Sequence, residues 1–143
     1  MQRIIRGNGM TQTEIINKLN ELYSDLNLVE CEDQFCSCDA EGDNYIVEIK
    51  SRDKEYSSWI IEKSKFEKNI VKSVEKTKKF IYLTEYNGKI MTWNIHNLVK
   101  ENYDFQWTEM PMPETTEFDA NNVIPKVVGF LYEGNAKIHK EKE

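Results

Sequence analysis

The run Tyr45-Ile46-Val47-Glu48-Ile49-Lys50 is the strongest constraint on what this chain can fold into. Tyr45, Val47 and Ile49 alternate with Ile46, Glu48 and Lys50, which is the period of a half-buried strand. Glu48 and Lys50 therefore project from one face, one pleat apart. A turn-rich tip precedes the run, so an upstream acid, Asp33 or Asp39, can return to that face across a hairpin. Two carboxylates and an ammonium converging on a sheet surface can hold a divalent cation and poise a water beside a phosphate.

The flanks read as two helices and further strands. Ile15, Ile16, Leu19, Leu22, Tyr23 and Leu26 recur at helical spacing and predict a helix over Gln12–Asp25. Thr11 with Glu14 three residues on forms a capping box at its start. Leu28–Cys31 and Gln34–Asp39 are expected as strands, followed by Tyr45–Arg52. A second helix is expected over Trp59–Lys76, capped by Ser57 or Ser58, with Trp59, Phe66, Ile70 and Val74 on one face. That stripe sets Glu62 and Lys63 near the inner face, where charges need a partner or solvent. Asn87-Gly88 signals a two-residue turn between strands Phe80–Glu85 and Lys89–Ile95. The pattern breaks up from Leu98 to Asn122. Val123–Tyr132 recovers strand character, with Lys126 as the polar alternate of an edge strand or a second phosphate contact. Gly134–Glu143 reads as a charged, frayed tail.

A chain of 143 residues is expected to form one domain around a single core. The mix of 39% hydrophobic and 31% charged residues indicates a soluble globular protein. No apolar run reaches membrane length, and the N-terminus lacks the apolar core of a signal peptide, so a cytoplasmic protein with no membrane partner is expected. Cys31, Cys36 and Cys38 accordingly read as buried thiols in a reducing compartment. A zinc site would need a fourth ligand, and His96 and His139 lie far away in sequence.

The net charge of -6 argues against a general nucleic-acid coating protein. The charge is uneven, however. Residues 1–47 carry three basic and nine acidic side chains, residues 48–79 carry ten and six, and residues 80–143 carry six and ten. The basic block begins at Glu48-Ile49-Lys50 and runs through the second helix, so nucleic acid can be bound locally. A solvated, lysine-rich helix face explains that block equally well. There is no Gly-rich phosphate loop, no His-Glu-x-x-His and no Ser or Cys nucleophile with a His partner.

Asp33 followed by Glu48-Ile49-Lys50 and Ser51-Arg52, on a hairpin between two helices, resembles the PD-(D/E)XK nuclease superfamily over about residues 10–95. Glu32 stands where that signature carries proline. The resemblance implies an α/β (α+β) fold, a mixed central sheet flanked by helices with a restriction-endonuclease-like αβββαβ core. It implies magnesium-dependent (or manganese-dependent) hydrolysis of DNA phosphodiester bonds, leaving a 5′-phosphate. Asp33, Glu48 and the carbonyl of Ile49 would bind the metal, Lys50 would orient the attacking water, and Arg52, Lys63 and Lys65 would hold the substrate backbone. Glu14 would add a metal-facing acid, a role that competes with its capping box. The Glu-Ile-Lys-Ser-Arg string is similar to that of junction-resolving members, which suggests branched DNA. Many members pair as homodimers, although no dimer signature is legible here, and the small, acidic, Lys- and Asn-rich chain looks like a bacteriophage product. The competing class is a non-catalytic nucleic-acid-binding or protein-interaction module on a nuclease-like fold, with Glu48–Lys50 a structural salt bridge.

Register separates Asp33 from Asp39. A two-residue turn at Gly42-Asp43 would set Asp39 opposite Ile46. A four-residue loop at Ala40–Asp43 would set Asp33 opposite Lys50, diagonal to Glu48. Both registers keep Asp33, Glu48 and Lys50 on one face, with Cys36 and Cys38 against Val47 and Tyr45 on the other. The second brings two carboxylates within reach of one cation, so Asp33 is the expected ligand and Asp39 a loop-edge acid.

Overall fold

The computed structural model describes residues 9–32, 38–113 and 122–139. Asp33 and the strand expected over Gln34–Asp39 fall almost entirely outside them; of that strand, only Cys38 and Asp39 are described.

The chain is mixed α and β. Its elements are α1 (Gln12–Leu22), β1 (Val29–Glu30), β2 (Ala40–Glu41), β3 (Tyr45–Arg52), β4 (Trp59–Glu62) and α2 (Lys63–Glu75). They continue as β5 (Lys79–Tyr86), β6 (Lys89–Asn94), α3 (Ile95–Lys100), β7 (Thr108–Pro113), β8 (Val123–Leu131) and β9 (Lys137–His139). Six strands form the main sheet in the order β1-β2-β3-β5-β6-β9, and β4-β8-β7 form a smaller sheet. All neighbours are antiparallel except β3 and β5, which run parallel from Tyr45↔Lys79 to Arg52↔Tyr86.

The strand alternation expected for Tyr45–Lys50 sorts its side chains to two cores. Val47 and Ile49 pack with Leu83 and Ile90 under Ile15, Ile16 and Leu19 of α1. Ile46 packs on the opposite face with Phe80, Tyr82 and Trp93, covered by Phe66 and Ile70 of α2 and by Trp59, Ile61 and Leu131 of the smaller sheet. The main sheet is thus a middle layer, buried on both sides, as a strand with a parallel partner generally is.

Several sequence expectations are met in detail. Thr11 and Glu14 form the capping box reciprocally, at 3.1 and 2.8 Å. Asn87 and Gly88 both take positive φ, 51° and 86°, as the two-residue hairpin between β5 and β6 requires. Glu85, fully buried, closes that hairpin by accepting from the Gly88 and Met10 amides at 2.8 and 3.1 Å.

Others are corrected. The helix expected from Trp59 begins at Lys63, because Trp59-Ile60-Ile61-Glu62 is a strand paired with β8. An aromatic and β-branched run suits a pleated surface better than a helix. Glu62, not a serine, precedes α2, and its side chain makes no cap. Val74 is exposed, and the buried positions of α2 are Asn69 and Ser73. β8 lies between β4 and β7 and is no edge strand. Lys137–His139, expected to fray, pairs with β6. Cys31 is disulfide-bonded and so is not the free thiol expected, whereas Cys38 is a buried thiol. Cys38 packs with Ile46, opposite to the expected face, because residues 38 and 39 form a bend. The hairpin register also differs. The pairs Ala40↔Val47 and Glu41↔Ile46, with Gly42 N donating to Tyr45 O, put the turn at Asp43-Asn44. Gly42 has to be glycine there, since a Cβ would stand 2.5 Å from the Leu26 carbonyl.

Two local ties hold the sheet edges. His139 sits with Nδ1 2.7 Å from the Tyr23 hydroxyl and Nε2 2.6 Å from Thr92 Oγ1. A neutral imidazole serves both contacts, one nitrogen donating and the other accepting. Burial, aided by the Lys137 charge, lowers its pKa from 6.5 to about 4. Its stabilising contribution is therefore complete above pH 6.5 and is lost as pH falls through 4. About 1–2 kcal/mol should disappear over that window after allowance for partial solvent screening. Chemical denaturation of His139→Gln should lack that part of the pH dependence; an unchanged slope would refute the assignment. Toward the other side of the sheet, Glu41 of β2 meets Lys78 at 2.7 Å and Lys76 at 2.9 Å, and hydrogen bonds from these lysines hold its carboxyl pKa at about 2. That contribution is full above pH 4.5 and lost as pH falls through 2. Being partly exposed, Glu41 should contribute no more than about 1 kcal/mol. Glu41→Gln is expected to lower stability by that amount at low salt, and by less in 1 M salt.

Candidate functional site

Strand alternation puts Glu48, Lys50 and Arg52 on the face of β3 that α2 covers, in line with Ile46. In the parallel register these three lie beside Tyr82, Thr84 and Tyr86 of β5. Glu48 is only 2% exposed. Its Oε1 accepts from Asn69 Nδ2 of α2 at 3.2 Å, and its Oε2 faces Lys50 Nζ at 3.8 Å. Lys50 keeps 17% of its side chain in solvent, so the pair stands at the edge of the buried region.

Burial dominates the electrostatics. It raises the Glu48 pKa from 4.5 to about 7, against the attraction of Lys50 and Lys65 and with help from the negative charges of Asp39 and Glu62. Burial likewise lowers the Lys50 pKa, against the attraction of Glu48 and with help from Lys65 and Arg52. Across 3.8 Å the two do not recover what each lost on leaving water. An acid and a base that both shift toward neutrality in one cluster make this a candidate functional site.

Asp39 enters this cluster from β2's leading end. The bend at residues 38 and 39 turns its carboxylate to the sheet edge, where Oδ2 accepts from the Ile49 amide at 2.6 Å. In a strand the N–H and C=O of one residue point to the same side. The Ile49 carbonyl therefore faces the edge on which Asp39 lies. Asp33 lies outside the described residues.

The remaining expected residues divide. Lys65 reaches the field of both Glu48 and Lys50. Arg52 hydrogen-bonds the Tyr82 hydroxyl, which also donates to the Ile60 carbonyl at 2.8 Å. Lys63 instead lies over the Trp107 ring, 5.6 Å from its centroid, on the side of the smaller sheet. Glu62 pairs with Lys126 at 3.2 Å, which meets the need for a partner anticipated for this charge. Glu14 is engaged in its capping box on α1, against the other face of the main sheet. Sequence reasoning missed Asn69. Its signal was a short amide inside the apolar stripe of α2, one residue before Ile70.

A groove of about 690 Å³ lies elsewhere, on the α1 face between α1, α3 and β9, lined by Asn94, Asn97, Thr92 and Leu19 among others. Its size alone would suit a small ligand. The Glu48 cluster is the better candidate, because it is there that buried charges converge.

Glu48→Gln should separate stability from function. At pH 8 with a chelator present, removing an anion that burial disfavours should raise the free energy of unfolding by on the order of 1–3 kcal/mol. A loss of stability of similar size would mean that the Glu48–Lys50 pair is structural.

Comparison with known proteins finds no match: no protein-family model fits the chain, and neither a curated protein nor a solved structure matches it.

Proposed function

We propose that this protein is a metal-dependent nuclease that hydrolyses DNA phosphodiester bonds at Glu48 and Lys50, with Asp39 as the second carboxylate. The observation that carries the reading is the buried Glu48–Lys50 pair beside Asp39, with both members pushed toward neutrality. The order of elements supports it. The agreement is at the level of a mixed α and β fold: one helix, three antiparallel strands, a crossing through β4 and α2, and a strand parallel to β3.

The donor set suits a hard divalent cation. Among the described residues no three acidic, His or Cys side chains converge. A cation here would therefore draw on Asp39, Glu48, the Ile49 carbonyl and water. Magnesium accepts such an all-oxygen set and keeps several waters. When bound, it would make a water more acidic and offset charge on the phosphate. The chain's own residues do the rest. Lys50, mostly buried, donates to the attacking water and to the charge gathering on the phosphate, where a positioned donor in a partly dry site is most effective. Lys65 and Arg52 steady the backbone phosphates without reading sequence. Lys63 takes part only by leaving the Trp107 ring. Branched DNA is the preferred substrate class in this reading, and the metal is magnesium or manganese.

The test is cleavage of linear duplex and four-way-junction DNA by purified protein, with and without a chelator. Lys50→Ala and Asp39→Asn should each lower the rate by about 10²–10⁴-fold while leaving the fold intact. Glu14→Gln should cut normally. Wild-type activity in Lys50→Ala would sink the assignment, and binding without cleavage by the wild type would favour a non-catalytic DNA-binding module.

A further inference from the structure

Asn69 is completely buried in the middle of α2. Its amide is only half used. Nδ2 donates to Glu48 Oε1 at 3.2 Å, but Oδ1 has no hydrogen-bond partner. A buried acceptor left without a donor costs free energy, and asparagine is also a poor helix former. Such a residue is not there for the stability of the helix.

The geometry points to a positioning role. We infer that Asn69 sets the orientation of the Glu48 carboxylate, so that one oxygen is held at the back of the site and the other is presented to it. The two oxygens have different neighbours: Oε1 meets Asn69, while Oε2 faces Lys50 at the solvent-reaching edge. Among the described residues, the Asn69 amide at 3.2 Å is the hydrogen bond that fixes the rotation of the Glu48 carboxyl group, the Lys50 ammonium standing farther off at 3.8 Å. A ligand held by an outer hydrogen bond binds a cation better than one free to rotate. The helix that carries the amide is held nearby by Phe66 and Ile70 in the core and by Ser73, whose hydroxyl lies 3.2 Å from His96 Nε2.

This inference rests on the reading of Glu48 as a metal ligand, and the experiment keeps the two apart. Manganese binding to the protein alone is measured by titration calorimetry for wild type, Asn69→Leu and Asn69→Ala, together with unfolding midpoints and the magnesium dependence of DNA cleavage. In a variant that folds, the affinity for manganese should fall about 10–100-fold, and half-maximal cleavage should need correspondingly more magnesium. If either folded variant binds manganese within twofold of wild type, Asn69 does not position the ligand and the inference fails, while the nuclease reading survives. If neither variant folds, Asn69 belongs to the core and the inference also fails. If the wild type binds no manganese, the metal-site reading falls and takes the role of Asn69 with it.

Discussion

The parallel pairing of β3 with β5 is the constraint on which the other features depend. A parallel neighbour cannot be reached by a tight turn, so the chain must leave the sheet, cross one face and return. Here β4 and α2 make that crossing. α2 therefore lies over the face of β3 that carries Glu48 and Lys50, and it brings Asn69 and Lys65 to them. The same pairing dries the carboxylate by placing Tyr82 beside it. A β3 on the edge of an open sheet would leave Glu48 an ordinary surface acid.

The cost of this arrangement is local and visible. Three features lower stability in one small region: a carboxylate raised toward neutrality, a lysine lowered toward it, and a buried amide oxygen without a donor. Among the described residues, the remaining buried side-chain polar atoms are satisfied by contrast. Glu85 accepts from two backbone amides, and Ser73 donates to the Ile70 carbonyl at 2.8 Å. The two buried acids of the sheet differ in their partners: Glu85 closes a turn through backbone amides, whereas Glu48 meets a side-chain amide and an ammonium.

The smaller sheet gives the C-terminal half its structural purpose. β8 pairs with β4, so residues far along the chain complete the layer beside α2. Lys126 of β8 neutralises Glu62 at the point where β4 becomes α2. Phe105 and Trp107 stack at 5.0 Å and 18°, and Phe66 of α2 meets both edge-on. Gly129 leaves room for them, since a Cβ there would stand 2.8 Å from Trp107. These contacts hold α2 from the side that the main sheet does not reach.

What was legible in the sequence was local. The alternation of Tyr45–Lys50 identified β3 and put Glu48 and Lys50 on one face, because a strand's side-chain period is set by the backbone alone. Thr11 with Glu14, and Asn87-Gly88, identified a helix start and a hairpin, because each satisfies its own backbone within a few residues. What failed depended on partners distant in the chain. Trp59–Glu62 became a strand because β8 lies beside it, and Lys137–His139 became one because β6 has an open edge. The hairpin register moved to Asp43-Asn44 because Gly42 packs against the Leu26 carbonyl, and with it Asp39 came to the site. Asn69 had no sequence signature beyond being polar within an apolar stripe. The sequence by itself determined which residues alternate, cap and turn. Tertiary structure decided what holds Glu48 and how dry it is, because burial and charge coupling arise only when separate segments pack together.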